Sequence, residues 1–112
     1  MLDTLIGAFV ESQLTVPVVP SNPSSVRAYV RTVSRDRGYS LAEWKCLDNI
    51  LQRESHYRTE AVNGSFYGIG QVHNMKPGTP VQRQIKVIFK YIKHRYGTAC
   101  NAWKFWKQHH WY

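Results

Sequence analysis

Apolar residues recur at every third or fourth position in four stretches of the chain, and this period predicts four helices. The first is expected to begin near Ser24 or Ser25 and to run to Arg37, with Gly38 as its stop. Ser40-Leu41-Ala42-Glu43 predicts a capping box, in which the Ser and Glu side chains each bind the other's backbone N–H. It opens the second helix, which carries Glu54 near its end.

The third and fourth helices are predicted in the C-terminal part of the chain. Thr79 and Pro80 are typical of an N-cap and a first helical residue, and Gly97 is expected to close that helix. The last helix begins at about Thr98. Between the second and third helices, Asn63-Gly64 and the glycines of Tyr67-Gly68-Ile69-Gly70 favour a short hairpin or irregular lobe. The pattern therefore predicts a mainly α, α+β domain of about four helices around a small glycine-containing lobe.

Residues 1–23 differ in composition from the rest of the chain. They contain Pro17, Pro20 and Pro23 among Val and Ser residues, which favours an extended arm or linker. The apolar piece at residues 5–10 lacks a preceding basic region, so it is not read as a signal peptide. No apolar run approaches the roughly 20 residues of a membrane span. We expect one domain at 24–112, monomeric, with residues 1–23 available for attachment to a larger assembly.

The chain is strongly basic, with 15 Lys and Arg against 7 Asp and Glu and a net charge of +8. This charge predicts attraction to polyanions, for which nucleic acid and an anionic bacterial wall are both candidates. Two cysteines, Cys46 and Cys100, lie outside any metal-ligand spacing, and they could form one disulfide or remain two buried thiols. The five histidines show no paired-ligand pattern, so no metal or other cofactor is expected.

Glu54 is the first candidate for chemistry. Counting back from it along the second helix meets Ile50 or Leu51, then Leu47, then Trp44, so the carboxyl shares a helix face with apolar side chains. Lost hydration favours the neutral carboxyl and should raise its pKa, as a general acid near neutral pH requires. Without further context, a snorkelling residue at the helix end is the alternative.

A second candidate follows 13 residues after Ser55, at Gly68-Ile69-Gly70-Gln71. Such a turn lets the backbone approach a ligand closely, while Gln71 offers a carboxamide. Ordinary turn glycines are the alternative interpretation. The aromatic rings that could stack on sugar faces are those of Tyr67, Tyr91, Trp103, Trp106, Trp111 and Tyr112, and Tyr67, inside this turn, is the favoured one. For Trp103 and Trp106, which follow a helical spacing, core packing is favoured.

Taken together, these pieces resemble the lytic transglycosylase family of goose-type-lysozyme-like enzymes, and most closely its short domains in actinobacterial and phage proteins. The resemblance covers roughly residues 24–112 and leaves out the arm. The matching text, in order, is Trp44, Cys46-Leu47, Arg53-Glu54-Ser55, Ala61-Val62-Asn63, Tyr67-Gly68-Ile69-Gly70-Gln71, Gln84-Ile85, Tyr91-Ile92, Arg95-Tyr96-Gly97, Ala102-Trp103 and Trp111-Tyr112.

The resemblance implies a lysozyme-like fold and a peptidoglycan substrate. Glu54 would be the single catalytic acid, which protonates the oxygen between N-acetylmuramic acid and N-acetylglucosamine and then helps to form a 1,6-anhydro end. Ser55 would position that acid or the substrate, and residues 68–71 (Gly68, Ile69, Gly70 and Gln71) would contact the N-acetyl sugar. Short relatives carry cysteines at the positions of Cys46 and Cys100, which implies a disulfide and an extracytoplasmic, secreted or virion-associated place of action.

One departure from the family concerns its Ala-Tyr-Asn motif, whose tyrosine hydroxyl touches the acid. The matching text here is Ala102-Trp103-Lys104 or Ala99-Cys100-Asn101, both without tyrosine. Tyr91 or Trp103 is therefore the candidate replacement, and both are predicted substrate-binding residues.

Three other functions stay open. A hydrolytic muramidase needs a second carboxylate, for which Glu60 is the candidate. A non-catalytic relative would bind peptidoglycan only. A small nucleic-acid-binding protein would use Lys90, Lys93 and Arg95, but no known reader motif accompanies them, so nucleic acid is not the expected partner.

Overall fold

The computed structural model describes residues 21–112, which form four helices and a small antiparallel sheet. The helices are α1 (Pro23–Asp36), α2 (Leu41–Ser55), α3 (Val81–Tyr96) and α4 (Ala99–His109). Between α2 and α3 lies a sheet of three two-residue strands in the order β1 (Val62–Asn63), β2 (Phe66–Tyr67) and β3 (Val72–His73). The expected class, mainly α with a small glycine-containing lobe, is confirmed. None of the described helices is long and apolar enough to cross a membrane.

Of the proposed arm, residues 1–23, the first 20 residues lie outside the described part of the chain. Pro23 is the first residue of α1. Asn22 is its N-cap, and the Asn22 side chain accepts a hydrogen bond of 2.9 Å from the Ser25 N–H. Helix α1 therefore begins one or two residues before the predicted start. Gly38 follows it with a φ of 87°, in the left-handed region that a glycine adopts without cost.

Helix α2 runs through the hydrophobic core. Its side chains Leu47, Ile50 and Leu51 are fully buried, as the apolar stripe predicts. They belong to one core cluster with residues from the other three helices and from the loop at residues 68–71: Val26, Val30, Ile69, Val81, Ile85, Ile88, Phe89, Ile92, Ala99 and Ala102. This burial fixes the direction of α2, so that its last turn lies against Ile69 and α4.

The disulfide Cys46–Cys100 joins α2 to the first turn of α4, and the expected pairing is confirmed. Near the disulfide, only one of the two hydrogen bonds of the expected capping box is present. The Ser40 hydroxyl does accept from the Glu43 N–H at 3.1 Å, but the Glu43 carboxylate accepts instead from the N–H groups of Ala99 and Cys100. The first turn of α4 has N–H groups without a partner inside the helix, and its dipole favours a negative charge. The Glu43 carboxylate therefore binds there and not to its own helix.

The expected N-cap of the third helix is shifted by one residue. Helix α3 begins at Val81 with Pro80 in the cap position and no side-chain cap. The Thr79 hydroxyl donates to the carbonyl of Lys76 at 2.6 Å, which closes the preceding turn and takes the hydroxyl away from the helix.

Asp48 of α2 forms an ion pair with Arg27 of α1. Its carboxylate accepts two hydrogen bonds of 2.9 Å from the Arg27 guanidinium and one of 2.6 Å from the buried Tyr57 hydroxyl. Burial by itself would raise the pKa of Asp48, but these hydrogen bonds and the Arg27 charge outweigh it and lower the pKa. Asp48 therefore stays ionised in a structural ion pair.

Candidate active site

Glu54 lies in the last turn of α2, half-buried, with its carboxyl directed toward α4. The indole N–H of Trp106 donates a hydrogen bond of 2.7 Å to Glu54 Oε2. Burial raises the pKa of the Glu54 carboxyl above its ordinary value, and the Trp106 hydrogen bond, which favours the carboxylate, offsets part of that rise. The expected raised pKa of Glu54 thus has the expected cause, which is desolvation.

The chain turns sharply immediately after Glu54. His56 and Tyr57 have positive φ angles of 53° and 60°, which are uncommon for residues with side chains. This turn ends α2 and leads the chain toward β1. Tyr57, buried and bound to Asp48, anchors the turn.

Ser55 connects the end of α2 to the glycine loop, residues 68–71. Its hydroxyl is fully buried and donates a hydrogen bond of 2.6 Å to the carbonyl of Ile69. Ser55 is therefore placed to hold the loop next to Glu54, and its hydroxyl is not presented to a ligand.

Gln84 of α3 holds the same loop from the other side. Its Oε1 accepts from the Ile69 N–H at 2.8 Å, and its Nε2 donates to the carbonyls of Thr59 and Thr79 at 3.0 and 2.9 Å. A side chain at position 68 would collide with this carboxamide, and Gly68 has a φ of 87°. Glycine is thus required at 68 by the close approach of Gln84 as well as by the backbone angle.

Gln71 binds nearby backbone carbonyls with the N–H groups of its carboxamide. Its Nε2 donates hydrogen bonds of 2.9 Å to the carbonyls of Ala61 and Gly68, which accounts for both N–H groups of the amide. These bonds support a φ of 50° at Gln71, in the left-handed region. The Oε1 atom is left as the acceptor that a ligand N–H or hydroxyl could use.

Tyr112 packs against the glycine loop from the segment after α4. Its buried hydroxyl donates a hydrogen bond of 2.8 Å to the carbonyl of Gly70, and its own carbonyl accepts one of 2.7 Å from the Tyr91 hydroxyl. Burial raises the pKa of Tyr112 well above its ordinary value, and the negative charge of Glu54 adds to that rise. A phenol close to the acid is thus supplied by Tyr112, while the Tyr91 hydroxyl is used to hold Tyr112.

A cavity of about 220 Å³ opens at the Glu54 carboxyl, and we call it the Glu54 cavity. A second cavity of about 180 Å³ adjoins it, since Phe66, Gln71 and Tyr112 line both. The Glu54 cavity is lined by Glu54, Asn63, Phe66, Gln71, His110, Trp111 and Tyr112. The second is lined by Phe66, Gly70, Gln71, Val72, His73, Tyr91 and Tyr112. The two together form an extended cleft.

The residues predicted from the sequence are brought together only in part. Glu54 and Gln71 line the Glu54 cavity, and Gly70 and Tyr91 line the second cavity. Tyr67 is buried, and its hydroxyl accepts from the Gly78 N–H at 3.0 Å, so it is not the exposed sugar platform that its place in the turn suggested. Trp103 stacks on Trp106 at 5.5 Å between ring centroids and supports the residue that binds Glu54.

Sequence reasoning missed the hydrogen bond between Trp106 and Glu54, and it assigned no role in the site to Phe66, His110 or Asn63 of the cavity wall. Trp106 was taken for a core residue because its helical spacing is also that of core packing, and period alone does not say where an indole N–H points. Tyr112 and Trp111 lie after α4, where no periodicity applies. Both are among the predicted sugar-stacking rings and belong to the matched text, but nothing in the sequence places them beside Glu54.

Glu54 is the only acid that lines its cavity among residues 21–112. Glu60, the candidate second carboxylate, lines a different surface depression with Arg58 and Ala61. The described part of the chain contains no group of three His, Cys, Asp or Glu side chains that could hold a metal ion. The chemistry available at this site is therefore that of one carboxyl with a raised pKa beside carboxamides, a phenol and aromatic rings.

No protein-family model matches this chain, and comparisons with curated proteins and with solved structures give no significant match.

Proposed function

We propose that this protein is a lytic transglycosylase of lysozyme-like fold, which cleaves peptidoglycan glycan strands between N-acetylmuramic acid and N-acetylglucosamine without using water. The observation that carries the proposal is the environment of Glu54. A single half-buried carboxyl with a raised pKa is held by an indole N–H at the edge of an extended cleft. A carboxyl with a raised pKa keeps its proton at a higher pH than an ordinary carboxyl, which suits a group that gives up a proton and takes one back.

The hydrogen bond from Trp106 favours one arrangement of the proton on Glu54. Oε2 accepts from the indole, and the carbonyl oxygen of a neutral carboxyl is the better acceptor, so the acidic proton is favoured on Oε1. In the proposed reaction this proton passes to the glycosidic oxygen as its bond to C1 of the muramic residue breaks. The Glu54 carboxylate then removes the proton of the muramic 6-hydroxyl, whose oxygen bonds to C1 and leaves a 1,6-anhydro end.

The glycine loop is proposed to bind the N-acetyl sugar next to the scissile bond. Within residues 21–112 the hydrogen bonds of the Gln71 carboxamide are made by its Nε2, so its Oε1 is the atom proposed to accept from an acetamido N–H. Ser55 and Gln84 hold Ile69 from two sides and so keep the loop at a fixed distance from Glu54. Rigid placement of a binding loop against the acid is what orientation of the scissile bond requires.

The absence of a second acid in the wall of the Glu54 cavity, within residues 21–112, favours this mechanism over a two-carboxylate hydrolase. The net charge of +8 fits a protein that works at a polyanionic wall, and the disulfide fits an extracytoplasmic site of action. Peptidoglycan is the proposed partner, and residues 1–23 are proposed to attach the domain to whatever carries it.

The test is digestion of purified peptidoglycan by the wild type and by Glu54→Gln, followed by mass spectrometry of the soluble fragments. Fragments with 1,6-anhydromuramic ends, absent from the variant digest, are expected. Reducing ends would identify a hydrolase and direct attention to Glu60. Wall binding without any fragments would identify a non-catalytic relative.

A further inference from the structure

Two of the exposed apolar side chains of the described chain lie at the cleft. Four large apolar residues of the described chain are substantially exposed: Leu41, Val62, Phe66 and Trp111. Phe66 and Trp111, which are 43% and 49% exposed, both line the Glu54 cavity. Exposed aromatic rings in a cleft cost solvation free energy that a ligand can recover, so they indicate a binding surface.

Trp111 is held in place from behind. Its ring meets the Phe105 ring edge-to-face at 4.8 Å, and the Arg95 guanidinium lies 5.2 Å from its centroid. Phe105 packs in turn on His109 at 4.1 Å. The indole is thus pre-organised although half of it is exposed, which lowers the entropy lost when a ligand binds.

Phe66 comes from the opposite part of the chain, in β2 of the small sheet. Its ring contacts that of His73 on β3 at 5.3 Å, and the two residues are paired across the strands. Phe66 lines both cavities, so a ligand that occupies both has this ring in its wall.

We propose that Phe66 and Trp111 are the sugar-stacking residues of the cleft and bind N-acetylhexosamine units of the glycan strand that Glu54 cleaves. This inference rests on the proposed function and adds residues to it. Flat rings match the apolar C–H faces of pyranoses. The carboxamides of Asn63 and Gln71 in the same wall suit the hydroxyl and acetamido groups at the sugar edge, so the lining fits a neutral, polyhydroxylated chain better than a charged one.

The binding test uses Glu54→Gln as the parent, so that cleavage does not interfere, with soluble N-acetylglucosamine oligomers as the probe. Phe66→Ala and Trp111→Ala should each weaken binding by about tenfold, which corresponds to 1.4 kcal/mol. Phe66→Tyr and Trp111→Phe keep a flat ring and should retain most of the affinity. Leu41→Ala is the matched control, because Leu41 is 58% exposed at the other end of α2 and should leave binding unchanged.

A readout specific to Trp111 separates stacking from a structural role. Oligomer addition should change the intrinsic fluorescence of the parent, and Trp111→Phe should remove most of that change while its melting temperature stays close to that of the parent. The proposal would be overturned if the alanine and aromatic variants lost oligomer affinity equally. It would also be overturned if the alanine variants were folded and bound the oligomers normally. Normal binding by these variants with Glu54-dependent cleavage would leave the proposed function intact. A Glu54→Gln variant that still cleaves would refute the function and leave the stacking result standing.

Discussion

The indole N–H of Trp106 lies 2.7 Å from Oε2 of Glu54, although the two residues are 52 positions apart in the sequence. The disulfide Cys46–Cys100 and the Glu43 contacts with the start of α4 bring the two helices together. Burial and the indole act in opposite directions on Glu54, since burial favours its neutral form and the hydrogen bond favours its charged form. The position of α4 therefore sets both the direction and the acidity of the carboxyl.

Trp106→Phe removes the N–H and keeps an aromatic ring. Without the hydrogen bond, the pKa of Glu54 should rise further, because the carboxylate loses its stabilising donor. A hydrogen bond to a charged group contributes about 1.5–3 kcal/mol, so we expect at least a roughly tenfold loss in kcat/KM at the optimum. The alkaline limb of the pH–rate profile should move to higher pH, which rate measurements across pH on solubilised glycan strands would detect.

Trp103→Phe is the control for that substitution, because Trp103 stacks on Trp106 and gives no hydrogen bond to Glu54. It should keep the pH profile of the wild type. An identical shift in both variants would mean that the acidity of Glu54 depends on packing and not on the indole N–H.

Glu54→Gln should be at least as stable as the wild type near neutral pH. A carboxyl whose pKa is raised on folding binds its proton more tightly in the folded state, so stability falls as pH rises through the folded pKa and the ionised group then costs free energy. The carboxamide avoids this cost and can still accept from Trp106. Urea unfolding should show an advantage for the variant at about pH 7 that declines toward about pH 4. A variant less stable than the wild type at neutral pH would contradict the raised pKa.

Gln84→Leu should destabilise the protein more than an ordinary surface change. It removes the partners of the Ile69 N–H and of the Thr59 and Thr79 carbonyls, and each buried polar group left unpaired costs about 1–3 kcal/mol. We expect a loss of about 3 kcal/mol or more in the free energy of unfolding, measured by urea titration. Gln82→Leu, an exposed position on the same helix, should stay within about 0.5 kcal/mol of the wild type. Similar losses at both positions would show that the Gln84 network is not the cause.

Removing the disulfide should affect both stability and activity. Cys46→Ala with Cys100→Ala should lower the free energy of unfolding by about 2–4 kcal/mol, since the bridge closes a long loop. It should also lower kcat, because α4 carries Trp106. Reducing agent should reproduce both effects in the wild type and leave the double variant unchanged. Full activity of the reduced wild type at a temperature where it stays folded would show that Trp106 is positioned without the bridge.

The helices were predictable because their signals are local. The stripe that includes Leu47, Ile50 and Leu51 has the helical period, and Gly38 and Gly97 mark the ends of α1 and α3 with positive φ angles. Errors arose where a side chain had two competing partners. Glu43 could bind its own helix or the start of α4, and Thr79 could cap α3 or close the preceding turn. Sequence spacing does not show which partner lies closer.

The candidate site was predictable only in the part that lies along α2 and the glycine loop. Glu54 and residues 68–71 carry recognisable local patterns, and the structure places them side by side through Ser55 and Ile69. Trp106, Trp111 and Tyr112 reach the cleft through long-range packing of α4 and the segment after it. The replacement for the family tyrosine was expected to be Trp103 of α4 or Tyr91 of α3. The phenol that lines the Glu54 cavity belongs instead to Tyr112, which follows α4.

The most direct test of non-hydrolytic cleavage through Glu54 is digestion of peptidoglycan in water enriched in heavy oxygen, with mass spectrometry of the new glycan ends. The account predicts anhydro ends that carry no heavy oxygen in the wild-type digest, and no new ends with Glu54→Gln. Heavy oxygen at the cleaved C1, or cleavage that survives the loss of the Glu54 carboxyl, would contradict it.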